Sequence, residues 1–302
     1  MEKIGILTSG GDAPGMNACI RSVVRTAIAN NIAVVGIQRG YQGLLEKDFI
    51  EMGPRSVSNI IQRGGTILKT SRCEDFKKWD GREKAVNNLK GVNVEGMVVI
   101  GGDGTFHGAK KLSEEWGINI IGVPGTIDND IYGTDLTIGF DTAVNTALEA
   151  VDKIRDTAGS HDRQFIVEVM GRHAGFIALE VGMSCGAEEI LIPERRTDIK
   201  KIAQRIMEGR ISGKTSYIII VAEGDEEGDA FEISHKLNRI TGLEYKICVL
   251  GHIQRGGAPT ATDRILGTEL GIWAVENLLK GETGKMIGEV DRKPLLTPFE
   301  DT

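Results

Sequence analysis

Asp128 and Asp130 stand either side of Asn129, at the end of the stretch Gly-Val-Pro-Gly-Thr-Ile-Asp-Asn-Asp that fills positions 122–130. Carboxylates this close can share a metal ion, or divide the work between a general base and an orienting group. The plainer alternative is an Asx-type turn with solvated acids. A second signal lies upstream in Gly101-Gly102-Asp103-Gly104-Thr105. Glycines there let a backbone approach phosphates with no β-carbon in the way, and a lone acid can meet the Mg²⁺ that nucleotides carry. A third is Gly251-His252-Ile253-Gln254-Arg255-Gly256-Gly257, in which an Arg fork and a His donor suit a phosphate monoester. A lone His near a strand end is as often structural. The loop Ser9-Gly10-Gly11-Asp12-Ala13-Pro14-Gly15-Met16-Asn17 is glycine-rich too, yet it is neither Gly-x-Gly-x-x-Gly nor a Walker loop. Arg21 and Arg25 lie four apart, so they either bind an anion together or form an ordinary solvated helix face.

These groups need elements to hold them. Ile118, Ile120 and Ile121 precede the acid pair, and Met97 to Ile100 precede the Gly-Gly-Asp-Gly-Thr loop, so both loops leave buried strands. Residues 4–8 read as a strand and 18–29 as a helix, the layout of a phosphate site at a helix N-terminus. A second strand is expected at 33–38, a loop or hairpin at 39–53, and a helix at 77–89. The stretch 62–73 is either exposed or closes over a nucleotide. This half is a parallel sheet with helices on both faces.

A long helix over 139–158 marks the passage into a second domain, with Ala143, Ala147, Ala150, Val151 and Ile154 at helical spacing. The strand at 164–170 ends in Met170-Gly171-Arg172-His173-Ala174-Gly175, repeating the strand, glycine turn and helix pattern. Strands follow at 190–192 and 216–222, and the last is expected at 245–250. A helix at 260–279 and a polar tail close the chain. Gly213-Lys214-Thr215 mimics a Walker tail, but Glu208 stands where its first glycine belongs, and the order is helix then strand.

With 302 residues and 40% hydrophobic content the chain can build two ordinary domains. Its 40 glycines against 7 prolines indicate many strand-to-helix turns rather than disorder. A formal charge of -7 argues against a nucleic-acid or anionic-membrane surface. Cys19, Cys73, Cys185 and Cys248 form no Cys-x-x-Cys pair, which fits a reduced cytoplasm and no zinc site. The N-terminus lacks the order of a signal peptide, and no apolar run approaches the roughly 20 residues of a membrane helix.

Taken together, the loops at 10–17, 101–105, 124–130, 170–172 and 251–257 resemble those of the bacterial 6-phosphofructokinases, in order and over nearly the whole chain. The resemblance implies an α/β fold of two doubly wound, Rossmann-like domains with largely parallel sheets. One is an ATP-binding domain, 1–138 plus 251–302; the other, 139–250, binds fructose 6-phosphate. It implies γ-phosphoryl transfer from MgATP to the 1-hydroxyl of fructose 6-phosphate, the committed step of glycolysis, by a cytoplasmic homotetramer. Carried over by position, Gly11, Arg72, Cys73, Gly102, Asp103, Gly104 and Thr105 hold ATP, with Asp103 on Mg²⁺. Thr126, Ile127, Asp128, Met170, Gly171, Arg172 and Glu223 hold the sugar phosphate, together with the run His252, Ile253, Gln254, Arg255. Arg163 and Lys246 reach it across a subunit interface. Asp128 is the base, Arg72 and Arg172 stabilise the transferring charge with Gly11 beside them, and Asp130 orients the loop or the metal shell.

An effector site for ADP or phosphoenolpyruvate maps to Arg21, Arg25, Arg55, Arg155, Gly186, Glu188 and Lys214. The register slips by one residue around Arg55, and Ser212 stands where a basic residue is often found. Lys246 also replaces an Arg, keeping charge but losing the planar fork. The chain stops at Thr302, before the final helix that the family normally has. Pyrophosphate-using relatives carry an Asp and a Lys where Gly104 and Gly125 stand, so ATP is the expected donor. The rival readings are a pyrophosphate-dependent sugar-phosphate kinase, an NAD or lipid kinase sharing only the 101–105 loop, and a nucleotide sensor without catalysis. The His252 to Arg255 loop opposes the second. Retention of Asp103, Asp128, Arg72 and Arg172 opposes the third.

Overall fold

The computed structural model describes residues 1–302. Contacts divide it into two compact units, Met1–Ile127 with Ile131–Thr142 and Arg255–Thr302, and Asp128–Asp130 with Ala143–Gln254. The passage between them therefore falls a few residues beyond 138 and 250, and the short acid stretch groups with the second unit.

In the first unit β1 (Lys3–Thr8), β2 (Ala33–Ile37), β3 (Phe49–Met52), β4 (Gly96–Gly101) and β5 (Asn119–Pro124) join strands from the chain's end, β10 (Lys285–Val290) and β11 (Lys293–Pro298). The sheet order is β11-β10-β5-β4-β1-β2-β3. Its centre is parallel, with Thr8 opposite Ile100 and Gly101 opposite Pro124. Met97, Val98, Val99 and Ile100 are fully buried, as a strand covered on both faces requires. The helices are α1 (Met16–Ala29), α2 (Gly40–Glu46), α3 (Trp79–Lys90), α4 (Asp103–Trp116) and, after the second unit, α9 (Ala261–Leu279). On α9 Leu266, Leu270, Ala274, Val275 and Leu278 share the buried face.

Asp263, almost wholly buried, accepts hydrogen bonds from Gly139 N (2.7 Å), Thr142 N (2.8 Å) and the Thr142 hydroxyl. It thereby serves the free N–H groups just before residue 143, while Thr260 caps α9 by accepting from Asp263 N.

The expectation of a loop or hairpin at 39–53 holds in part: β3 pairs antiparallel with β2 as a hairpin strand would, but the connection between them is helix α2 rather than a loop. Arg39 turns the chain in a left-handed conformation, and its guanidinium binds Glu46 at 2.6 Å and Asp48 at 2.8 Å, while Leu44 and Leu45 are buried. The end is not a polar tail, because β10 runs parallel to β5 and antiparallel to β11, burying Met286 and Ile287. The strand near 245–250 is not the last.

In the second unit, α5 (Phe140–His161, entering from the first), α6 (Phe176–Cys185), α7 (Ile199–Ile211) and α8 (Ala230–Thr241) accompany four strands. These are β6 (Gln164–Val169), β7 (Glu189–Leu191), β8 (Tyr217–Ala222) and β9 (Tyr245–Val249), in the order β7-β8-β6-β9. Every pairing is parallel. Ile166, Ile219 and Val221 of the sheet pack with Ile202, Ile206, Ile233 and Leu237 of the helices. Asp198 and Asp229 cap α7 and α8, each accepting two backbone N–H groups. Both units are α/β with mostly parallel sheets, the class that the rhythm of strand, glycine turn and helix implies.

Candidate active site

The parallel register brings the carboxyl ends of β1, β4 and β5 side by side, so the loops at 9–15, 101–105 and 125–127 leave the sheet together. Ser9 N donates to Ile100 O at 3.0 Å and Gly125 N to Gly101 O at 2.9 Å, which locks the three exits. The stretch 62–73 is drawn to the same edge. Asn17 donates to Arg63 O (3.0 Å) and Gly64 O (3.2 Å) and accepts from Ile67 N (2.8 Å). Thr8 Oγ1 donates to Lys69 O at 2.9 Å, and Thr70 Oγ1 to Gly10 O at 2.8 Å. Arg72 is thus exposed at the head of the sheet, and burial pushes the neighbouring Cys73 thiol up, keeping it neutral.

The 101–105 loop has the shape of an anion cradle. A β-carbon on Gly101 would lie 2.3 Å from Thr105 Oγ1 and 2.4 Å from Ser9 O, so only glycine fits. Space beside Gly104 is open. Helix α4 begins at Gly102 without a side-chain cap, and the buried Thr105 hydroxyl has no partner. Uncapped N–H groups and an orphaned hydroxyl at a helix start suit phosphate oxygens. Asp103 stands exposed in the first turn, 3.4 Å from His107 Nδ1. One carboxylate beside phosphates suits Mg²⁺, which keeps most of its waters. On the opposite loop a β-carbon at Gly11 would fall 2.4 Å from Arg255 Nη1, so that guanidinium lies across the Gly11 backbone.

The other expected residues belong to the second unit. Asp128 is 2% exposed, Asp130 is open to solvent, and Asn129 between them takes a left-handed φ of 53°. Thr126 and Ile127 remain with the first unit, where Thr137 Oγ1 donates to Thr126 O at 2.6 Å. The turn at 170–175 is fixed by side chains. Met170 N donates to Gln254 Oε1 (3.0 Å), Arg172 N to Glu223 Oε1 (2.8 Å) and Gly175 N to Glu194 Oε1 (2.7 Å). His252 and Ile253 are exposed, as is Arg163, while Lys246 Nζ pairs with Glu244 at 2.6 Å.

His252 and Arg255 share the 3-10 turn Gly251–Arg255; the His252 side chain is exposed, and the Arg255 guanidinium lies against Gly11. Gln254, expected among the ligand-contacting residues, is fully buried instead. Sequence reasoning gave no role to Tyr41 or Glu194. Tyr41 lies on a helix inside the stretch expected as a loop or hairpin, and Glu194 carries no local signal at all. The effector set also divides. Arg155 Nη2 donates to Cys185 O (2.6 Å) and Gly186 O (3.1 Å), and Lys214 Nζ pairs with Glu188 at 2.6 Å, all in the second unit. Arg21, Arg25 and Arg55 sit in the first.

The profile of the family described as phosphofructokinase matches residues 3–278. The ATP-dependent 6-phosphofructokinase 1 of Thermus thermophilus is 56% identical over 301 residues, spanning 100% of this chain and 94% of that protein. That of Halothermothrix orenii, also named ATP-dependent, is 55% identical over 303 residues, 97% of this chain and 91% of the other. Among solved structures, phosphofructokinase from Saccharomyces cerevisiae superposes with a TM-score of 0.95 at 38% identity, over 99% of this chain and 45% of that one. A pyrophosphate-dependent phosphofructokinase from Marinobacter aquaeolei gives 0.86 at 25% identity, over 100% and 83%.

Proposed function

The chain belongs to the phosphofructokinase family, and on that premise we propose how its residues divide the work. It transfers the γ-phosphoryl of ATP to the 1-hydroxyl of fructose 6-phosphate, giving fructose 1,6-bisphosphate and ADP. The observation that carries this activity is the full-length likeness to enzymes named for it, at 55–56% identity.

Gly11, the uncapped start of α4 and the Thr105 hydroxyl receive the nucleotide's phosphates, with Arg72 above them. Asp103 would hold Mg²⁺, which when bound neutralises charge on the phosphate oxygens. Asp128 accepts the proton of the sugar's primary hydroxyl, which attacks poorly while it keeps that proton. Arg72 and Arg172 balance charge on the phosphoryl in transit, and Asp130 orients the loop or the metal's waters. Met170, Gly171, Glu223 and His252 would seat the sugar phosphate.

Gly104 and Gly125 favour ATP over pyrophosphate, since open space at Gly104 leaves room for a nucleoside and neither residue adds charge. The enzyme works as a homotetramer, Arg163 and Lys246 reaching a neighbouring subunit's sugar phosphate. ADP and phosphoenolpyruvate bind at Arg21, Arg25, Arg55, Arg155, Gly186, Glu188 and Lys214. No helix is long and apolar enough to cross a membrane, and a glycolytic step belongs in the cytoplasm.

Steady-state rates with fructose 6-phosphate and either ATP or pyrophosphate, with and without ADP and phosphoenolpyruvate, test donor, acceptor and regulation together. Turnover with pyrophosphate matching that with ATP would remove the donor assignment.

A further inference from the structure

Gln254 occupies the 3-10 turn Gly251–Arg255, two residues beyond His252. Its side chain is fully buried, with Oε1 accepting from Met170 N at 3.0 Å and Nε2 without any partner. That arrangement has only one sense. Rotating the amide by half a turn would set Nε2 against the Met170 N–H, donor facing donor, in a place that water does not reach. The single accepted bond thus fixes the whole side chain.

The turn on the other end of that bond needs fixing. Gly171 has a φ of 143° and Arg172 one of 54°, the latter a left-handed conformation that residues with a β-carbon adopt only at a cost. A turn of this kind keeps its shape only where its surroundings determine it. Three of its amides donate to side chains, those of Gln254, Glu223 and Glu194. Glu223 and Glu194 are exposed, where water can replace them as acceptors. Gln254 alone of the three is buried, and Met170, which it holds, is only 8% exposed.

We propose that Gln254 is a positioning residue: without touching the ligand, it ties the 170–175 turn to the segment carrying His252 and so sets the spacing of the sugar-phosphate site. The proposal rests on the reading of Arg172 and His252 as sugar-phosphate residues given above. The bond lies within the second unit and reaches no residue of the nucleotide loops, so its loss weakens acceptor binding selectively.

The test is Q254M, which preserves length and apolar volume but removes the acceptor. The half-saturating concentration of fructose 6-phosphate is expected to rise about tenfold, with that of ATP within about twofold and kcat within about threefold. By hydrogen–deuterium exchange, the Met170 amide of the variant is expected to lose about tenfold in protection. Unchanged exchange together with unchanged kinetics overturns the positioning role, and so does an equal rise for both substrates. Faster exchange with unchanged fructose 6-phosphate kinetics instead overturns the reading of this turn as the acceptor's site. The unaltered enzyme gives a check that needs no variant: its Met170 amide must exchange at least about tenfold more slowly than that of the exposed His173. Equal rates there also sink the proposal.

Discussion

The Tyr41 hydroxyl donates to the backbone carbonyl of Thr105 at 2.5 Å, linking α2 to the first turn of α4. The same ring stacks on Phe76 at 4.0 Å and 14°, three residues after Cys73. One side chain thereby joins the loop assigned to the phosphates with the segment that presents Arg72.

Tyr41→Phe retains the stack and removes only the bond. The Thr105 carbonyl keeps its intrahelical partner in α4, so the loss of this second bond costs roughly 0.5–1.5 kcal/mol and the variant is expected to melt a few degrees lower. The KM for ATP is expected to rise several-fold while that for fructose 6-phosphate stays level. Equal KM values in wild type and variant would show that the bond does not reach the nucleotide.

Gly101→Ala sets a methyl against Ser9 O and the Thr105 side chain. Backbone cannot give way as a long side chain can, so roughly 1–3 kcal/mol of stability and most nucleotide affinity are expected to be lost. Calorimetric titration with a non-hydrolysable ATP analogue reads this directly. Gly104→Ala, whose methyl meets no protein atom but enters the open space assigned to the nucleoside, is expected to keep stability while binding the analogue several-fold more weakly.

Asp128→Asn keeps the shape of the buried side chain and removes its basicity. General-base help is worth about 10²- to 10⁴-fold, so kcat is expected to fall by at least about a hundredfold with both KM values little changed. Single-turnover rates at saturating substrates measure it, and wild-type turnover would dismiss the base.

Lys246→Arg restores a planar fork at an exposed position where the lysine now pairs with Glu244. Half-saturation by fructose 6-phosphate is expected at a severalfold lower concentration. A titration giving the same or weaker binding contradicts the role proposed for this residue.

Asp263 gives a pH prediction of definite sign. Burial pushes its carboxyl up to about 6, against the opposing pull of the Thr142 and Gly139 donors. The folded chain then holds this proton more tightly than the unfolded chain, whose value is near 3.9. The stabilising increment is present in acid and is lost as pH rises through 6. Relative to the non-titrating Asp263→Asn, wild type is expected to gain about 1 kcal/mol between pH 7 and pH 5 in denaturant unfolding. A gap independent of pH would mean that the carboxyl titrates normally.

Much of the first unit's centre was legible because its strands are short apolar runs ending in glycine, and burial on both faces leaves no polar residue to blur the pattern. The strands β10 and β11 were not, because they run at the rim of the sheet, where Lys285 and Glu289 flank the buried Met286 and Ile287 and β11 opens on the exposed Lys293 and Pro294. Helix α2 was masked by Gly40 and Gly43, and its stability comes from packing and the Arg39 ion pairs rather than local propensity. Residue types at 101–105 and 128–130 announced phosphate and proton chemistry. Which side chains hold the loops was not readable: Tyr41, Glu194 and Gln254 act across 64, 19 and 84 positions respectively, and no local pattern encodes such separations.

The pairing of β10 with β5 has a consequence for synthesis. The first unit's sheet draws strands from both extremes of the sequence, whereas the second unit is one continuous run apart from Asp128–Asp130. As the chain emerges from the ribosome, the edge of β5 stays open until residues 285–298 have been made. Through that interval the later-encoded unit can already be packing, and the nascent sheet presents an unpaired apolar border to whatever chaperone or neighbouring chain it meets.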